Sequence, residues 1–333
     1  MMSKIIALIF SFLILMVLEG AAYLYISNTP LGQIQKLIQE DQLLLWKQRP
    51  NLDLNFMGVK VHTDSDGFRI FNSKIKSEKH NINITIFGPS SCFGWGVEDE
   101  ETYAAILEKN LNHCDSVKKY KVKNASQIGY SSYQGKKLFD LQINESRPNI
   151  VIISYLINDL DHYRFFQSYP VTDSQLNTIE KNSSFKFIKE LNLFKVLDLF
   201  VNKLKQRQRS HFVTRVPISD YQANIQSMID RAKQSNSRVI LLKMPVSLPE
   251  NEETKFINEM AKEYNKKLLE IASINKVEAL DVVTIFQKEK DYLFIDPKKD
   301  TYHPNQKGHK IIANELTKVI LKELNYSVDC LVK

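Results

Sequence analysis

Three side chains with nucleophilic atoms, Ser90, Ser91 and Cys92, follow one another in Phe87-Gly88-Pro89-Ser90-Ser91-Cys92-Phe93-Gly94-Trp95-Gly96. None is a strong nucleophile in its neutral form, so each needs a base to take its proton or a lowered pKa. A candidate base stands far along the chain, in Asp300-Thr301-Tyr302-His303-Pro304-Asn305. There a carboxylate precedes an imidazole by three residues, the two groups that orient and perform proton abstraction in a triad. Two more stretches, Ser126-Gln127-Ile128-Gly129-Tyr130 and Ile157-Asn158-Asp159, offer backbone N–H groups and a side-chain amide. Such donors stabilise the oxyanion that forms when a nucleophile adds to a carbonyl. Taken singly, each stretch is equally compatible with a tight turn or an exposed loop.

These residues need elements to bring them together. Ile82 to Phe87 is a β-branched segment of the kind that makes a buried strand, and Tyr120–Ala125, Ile150–Leu156, Arg238–Met244 and Val277–Val282 read as four more. Helical patterns separate them: Thr102 to about Leu111, Gly135–Glu145, Tyr221–Gln234 and Glu253–Ile274, with a last helix after Asn305 carrying Ile311, Ile312, Leu316, Ile320 and Leu324. Strands alternating with helices predict a parallel sheet covered by helices, since parallel neighbours need crossovers. In such sheets chemistry gathers in loops that leave the strand ends. The candidate nucleophiles, Gly129 and Asn158 follow the first, second and third of these strands. Upstream, Met57 to Ile70 alternates around Asp64-Ser65-Asp66-Gly67, a hairpin-turn pattern that lacks the later ligands of a calcium loop.

The chain of 333 residues is 43% hydrophobic and carries a net charge of +7. Its lysines are dispersed, and no zinc-type spacing or recognition motif accompanies them, so nucleic acid is not an expected partner. Residues 5–26 form an apolar run interrupted by Ser11 and Glu19, long enough to cross a bilayer. Gly20-Ala21-Ala22 resembles a signal-cleavage site, but the run continues through Tyr23-Leu24-Tyr25-Ile26, which predicts an uncleaved anchor. With Lys4 on the cytoplasmic side, the body lies outside the membrane. Leu31 to Trp46 has helical spacing and predicts a juxtamembrane helix. Between the third and fourth strands, an insertion over 169–219 spaces Ile188, Leu191, Leu197, Val201 and Leu204 helically among Lys195, Lys203, Lys205 and Arg207. It is either a helix packed on the body or a basic lid or membrane-surface helix. Cys92, Cys114 and Cys330 are too few for a disulfide framework and leave open one Cys114–Cys330 bridge in an oxidising compartment.

The combination resembles the SGNH, or GDSL-like, hydrolase superfamily. Gly88-Pro89-Ser90 falls on its nucleophile block, Gly129 on the second block, Asn158-Asp159 on the third, and Asp300 with His303 on the last. Phe93-Gly94-Trp95-Gly96-Val97 continues the first block in a form common in membrane-anchored members, and Asp66-Gly67-Phe68-Arg69 is similar to the segment leading into it. Two positions depart from the pattern: Pro89 replaces an aspartate, and Leu156 a glycine. The resemblance implies a three-layer, flavodoxin-like α/β fold with a central parallel sheet flanked by helices, preceded by the transmembrane helix. It implies Ser90, Asp300 and His303 as catalytic residues, an oxyanion hole from the N–H of Ser90, the N–H of Gly129 and the Asn158 amide, and no metal or other cofactor. The expected domains are the anchor at 1–27, a juxtamembrane helix and linker at 28–56, the hydrolase-like domain at 57–326 and a tail at 327–333. The expected activity is removal of acyl groups, acetyl above all, from an envelope or exported glycan. Transfer of the acyl group to a polysaccharide hydroxyl uses the same triad, and a catalytically inactive binding protein is the non-enzymatic alternative.

Overall fold

The structure is a computed structural model that describes residues 2–73, 81–115, 117–160, 172–175, 191–206, 214–246, 248–249, 252–323 and 330. Ile188, Arg207 and Leu324, named above for their spacing or charge, lie outside the described residues. Helix α1 (Met2–Ser27) is the apolar N-terminal segment. Helix α2 (Pro30–Leu37) starts at Thr29, whose hydroxyl accepts the Gly32 N–H, with proline at its first position. The helix predicted to run on to Trp46 ends at Leu37 instead. Ile38–Asp41 (β1) and Leu45–Gln48 (β2) form an antiparallel hairpin. Its turn is made by the Asp41 carboxylate, which accepts the N–H groups of Leu43 and Leu44 at 3.0 and 2.9 Å, a local bond that competes with helix.

The main sheet has eight strands. Asp53–Phe56 (β3), Val59–Thr63 (β4) and Arg69–Ile70 (β5) enter it antiparallel, so a boundary at residue 57 falls inside the β3–β4 hairpin. The Asp64 to Gly67 turn joins β4 to β5, with Gly67 at φ 83°. Ile82–Phe87 (β6) leads into the short helix α3 (Ser90–Phe93) and, through a 3-10 turn at Asp99–Glu101, into α4 (Tyr103–Cys114), which is capped by Thr102. Tyr120–Asn124 (β7), α5 (Ser132–Ser146), Ile150–Ile153 (β8), α6 (Ile157–Leu160) and α7 (Asn192–Gln206) follow. Then come α8 (Ile218–Gln234), Arg238–Lys243 (β9), α9 (Glu252–Asn275), Glu278–Asp281 (β10) and α10 (Val282–Lys288). Phe294–Asp296 (β11) pairs with Asp300–Pro304 (β12), and α11 (Gln306–Glu323) completes the described elements.

The strand order is β10-β9-β8-β6-β7-β5-β4-β3, and the first five strands in that order are parallel. Renumbered along the chain, the parallel part reads 2-1-3-4-5, the flavodoxin-like order, whose switch point lies between β6 and β8. The inner strands β8 and β9 are largely apolar because both of their faces are covered. Val151, Ile153, Val239 and Leu241 point into one core with α5, α8 and α9, while Ile150, Ile152, Ile240 and Leu242 point into the other with α4, α10 and α11. A Cys114–Cys330 disulfide, with Cα atoms 5.3 Å apart, ties the end of α4 to the C-terminal segment.

Candidate active site

Ser90 and Asn158 leave the carboxyl ends of β6 and β8, the two strands at the switch point. The backbone there must run close to Cys92. A Cβ on Gly88 would meet the Cys92 Sγ at 2.4 Å and the Ser154 carbonyl oxygen at 2.9 Å, so this position has no room for a side chain. Pro89 caps α3 with φ −86° and ψ −160°, and its carbonyl accepts the N–H groups of Cys92 and Phe93. Proline is compatible with both roles, because neither uses its missing N–H. Ser90 becomes the first residue of α3, where an N–H has no acceptor within the helix.

His303 is buried at 2% exposure, and its Nε2 lies 2.7 Å from the Ser90 Oγ. Its Nδ1 faces the Asp300 carboxylate at 2.7 and 2.9 Å, and the backbone N–H of His303 donates to the same group. Asp300 and His303 sit in strand β12 rather than in the loop that the sequence predicts. β12 pairs with β11 through Asp300–Asp296 and Pro304–Phe294. One ring face of His303 stacks on Trp95, with centroids 5.1 Å apart and planes within 12°. Of the three candidate nucleophiles, Ser90 alone meets a base. Cys92 is fully buried, and burial pushes its thiol pKa up, which keeps it protonated. Among the described residues, the Ser91 hydroxyl has the Cys92 sulfur as its hydrogen-bond partner, at 4.0 Å.

Gly129 has φ 74°, the left-handed region that glycine adopts without strain. The N–H groups of Ser90 and Gly129 donate to no protein acceptor among the described residues. The Asn158 amide donates one proton to the Tyr130 carbonyl at 3.0 Å, which fixes its orientation and leaves its second proton for another acceptor. A cavity of about 10 Å³ is lined by Pro89, Ser91, Ser154, Leu156, Met244 and Tyr302, among others, and by none of Ser90, Gly129, Asn158 and His303. That is the space of about one water-sized group.

Several supports carry no sequence signal of their own. Arg69, 2% exposed, donates to the carbonyls of Phe93, Gly94 and Val97 and to Asp99 Oδ1, at 2.7 Å, so it clamps the loop after Ser90 from four sides. Asp66-Gly67-Phe68-Arg69 marks this segment in the sequence, but its target is visible only in three dimensions. Arg215 is likewise buried, donating to the Gly129 carbonyl at 3.0 Å and to both oxygens of Asp173. No group of three or more possible metal ligands is found among the described residues.

An ordered hydroxyl–imidazole–carboxylate chain beside a set of unpaired donors, at the switch point of a 2-1-3-4-5 sheet, is suited to acyl transfer. The chain belongs to the GDSL-like lipase/acylhydrolase family, whose model matches residues 86–311, and is a serine ester hydrolase. Among solved structures, the psychrotrophic esterase EstA from Pseudoalteromonas sp. is 16% identical, covering 74% of this chain and 100% of its own with a TM-score of 0.47. A catalytic mutant of the acetylxylan esterase Axe2 from Geobacillus stearothermophilus is 16% identical, covering 74% and 95% with a TM-score of 0.47. A GDSL-like lipase from Bacteroides thetaiotaomicron is 15% identical, covering 75% and 92% with a TM-score of 0.46. No curated protein matches the chain.

Proposed function

We propose that Ser90, His303 and Asp300 are the catalytic residues of this hydrolase, and that it removes acetyl groups from an envelope or exported glycan. The observation that carries the catalytic assignment is the unbroken chain from Ser90 Oγ through His303 to Asp300, with contacts of 2.7 Å on both sides of the imidazole. Ser90 Oγ donates its proton to His303 Nε2 as the oxygen adds to the ester carbonyl. Asp300 holds the Nδ1 proton and stabilises the imidazolium. The oxyanion is met by the N–H groups of Ser90 and Gly129 and the free amide proton of Asn158. As the tetrahedral intermediate collapses, His303 returns its proton to the departing alcohol oxygen, leaving acyl-Ser90. Water, deprotonated by His303, releases the acid and restores Ser90.

The preference for a small acyl group such as acetyl rests on the buried side chain of Leu156, which stands where the family often has glycine. For location, α1 is 26 residues long and its span has a mean hydropathy of 2.5, as an anchor requires. A Cys114–Cys330 disulfide supports a body on the extracytoplasmic side, where disulfides persist. The test is hydrolysis of a chromogenic acetyl ester by the purified full chain, with the acetate measured. Ser90→Ala is expected to abolish release and labelling by a fluorophosphonate; full activity in this variant would end the assignment.

A further inference from the structure

Among the described side chains of helix α7, four apolar ones are exposed. Phe194, Leu197, Phe200 and Val201 are 46%, 51%, 59% and 43% exposed, which removes packing on the body as the purpose of this stripe. The helix packs along α1. Within α1, the Glu19 carboxylate accepts the backbone N–H and side-chain amide of Asn192 at 2.6 and 2.8 Å, and the N–H of Leu193 at 2.9 Å. Glu19 therefore caps the first turn of α7, where the helix dipole favours an anion. This explains an acidic residue in an otherwise apolar helix, since a carboxylate at membrane depth needs such partners. It also gives a reason for α1 to stay attached. Cleavage after Gly20-Ala21-Ala22 would remove the cap.

Glu19 precedes Ser27, the last residue of α1, by eight positions, which corresponds to about 12 Å along a helix axis. We propose that α7 is a second membrane element, with its apolar stripe in the acyl-chain region of the leaflet nearest the body. The proposal rests on α1 being a membrane anchor. The occupant is lipid because the stripe is continuous with an apolar helix that itself has lipid as its surroundings. The test uses the full chain in vesicles of phosphatidylethanolamine and phosphatidylglycerol, with a nitroxide at Val17→Cys, Phe200→Cys or Ile274→Cys. Collision with oxygen is compared with collision with a water-soluble nickel chelate. The oxygen-to-nickel ratio at Phe200→Cys is expected to exceed that at the exposed Ile274→Cys severalfold and to approach that at Val17→Cys. If Val17→Cys reports lipid while Phe200→Cys behaves like Ile274→Cys, the α7 proposal fails alone; if Val17→Cys also reports water, the anchor reading fails with it. Adding Glu19→Leu is expected to raise the mobility of the label at position 200, and an unchanged spectrum would contradict the capping role.

A separate observation concerns the hairpin that follows α2. Trp46 Nε1 donates to the Ile128 carbonyl at 2.9 Å, and the Tyr130 hydroxyl returns a bond to the Trp46 carbonyl. The Gln48 N–H donates to Gln127 Oε1 at 2.8 Å. The Ile128 carbonyl belongs to the same peptide plane as the Gly129 N–H, and a trans peptide points the two in opposite directions. Holding one aims the other. We infer that Trp46 is a positioning residue for the Gly129 oxyanion donor, so the segment between anchor and sheet is part of the active-site architecture. This rests on Gly129 and Asn158 being oxyanion donors. The test is the ratio of kcat for an acetyl ester to kcat for its thionoester, whose sulfur uses such donors poorly. Asn158→Ala is the control and is expected to lower the ratio. Trp46→Phe, and benzothienylalanine at position 46 as an isostere without the N–H, are expected to lower it severalfold with KM little changed. If the control falls but neither Trp46 substitution does, Trp46 has only a packing role; if the control is unmoved, the oxyanion reading itself fails.

Discussion

Leu156 is the residue where a departure from the family pattern has a direct chemical consequence. It is 4% exposed, stands where the family often has glycine, and lines the small cavity with Pro89 and Ser91. Removing its side chain enlarges that cavity, the proposed site of the acyl chain. Leu156→Ala is expected to raise kcat/KM for a butyryl ester relative to an acetyl ester by about tenfold or more, since one or two methylenes in an apolar pocket are worth that much. Parallel assays with the two esters check it, and an unchanged ratio would move the acyl group elsewhere. Pro89, the other departure, is accommodated at the cap of α3, where its carbonyl does the work.

At the level of elements, the loop after Ser90 is held from outside by β5. Arg69 brings a buried guanidinium to three loop carbonyls and to Asp99, itself 7% exposed. Arg69→Leu leaves three loop carbonyls without this donor and takes one of two side-chain partners from the buried Asp99, which keeps His62 Nδ1 at 2.5 Å. Breaking one side of a buried pair typically costs about 3–5 kcal/mol, so the urea midpoint of this variant is expected to fall accordingly. Helix α4 is fixed similarly: its first N–H, that of Tyr103, donates to His309 Nδ1 in α11 at 3.1 Å, and the two rings stack. The antiparallel strands β3 to β5 are therefore more than an extension of the parallel sheet. They carry the group that braces the loop after Ser90.

Across the whole molecule, two buried groups oppose each other in their pH dependence. Burial pushes Asp159 up to about 7 and His309 down to about 3. As pH rises from about 4 to 7 the unfolded chain releases the Asp159 proton while the fold retains it, so this group lowers stability with rising pH. As pH falls from about 6.5 towards 3 the unfolded chain takes up a proton that buried His309 refuses, so this group lowers stability with falling pH. Each slope is at most about 1.4 kcal/mol per pH unit, and in their shared window they offset. Relative to the parent, Asp159→Asn is expected to gain stability as pH rises from about 4 to 6.5, and His309→Asn to lose it, the slopes again being those of linkage. Urea midpoints across this range check both signs.

The chemistry-bearing residues and the parallel α/β architecture are legible in the sequence because both are local. A buried strand needs a run of β-branched residues, as in Ile82 to Phe87, and the first three family blocks follow strands in the chain, while the last lies within β12. The choice among Ser90, Ser91 and Cys92 becomes physical only when β12 brings His303 across 213 positions to one hydroxyl. The turn at Asp41 overrides a helical pattern because a carboxylate accepts nearby N–H groups that the pattern does not register. Arg69, Trp46 and Glu19 read in the chain as an ordinary arginine, an aromatic and a misplaced acid. Besides the side chains of Asp99 and Asn192, their partners are backbone groups: the carbonyls of Phe93, Gly94 and Ile128 and the N–H groups in the first turn of α7. Every residue carries those groups alike, so sequence cannot single them out, and only the tertiary structure decides which of them each side chain meets.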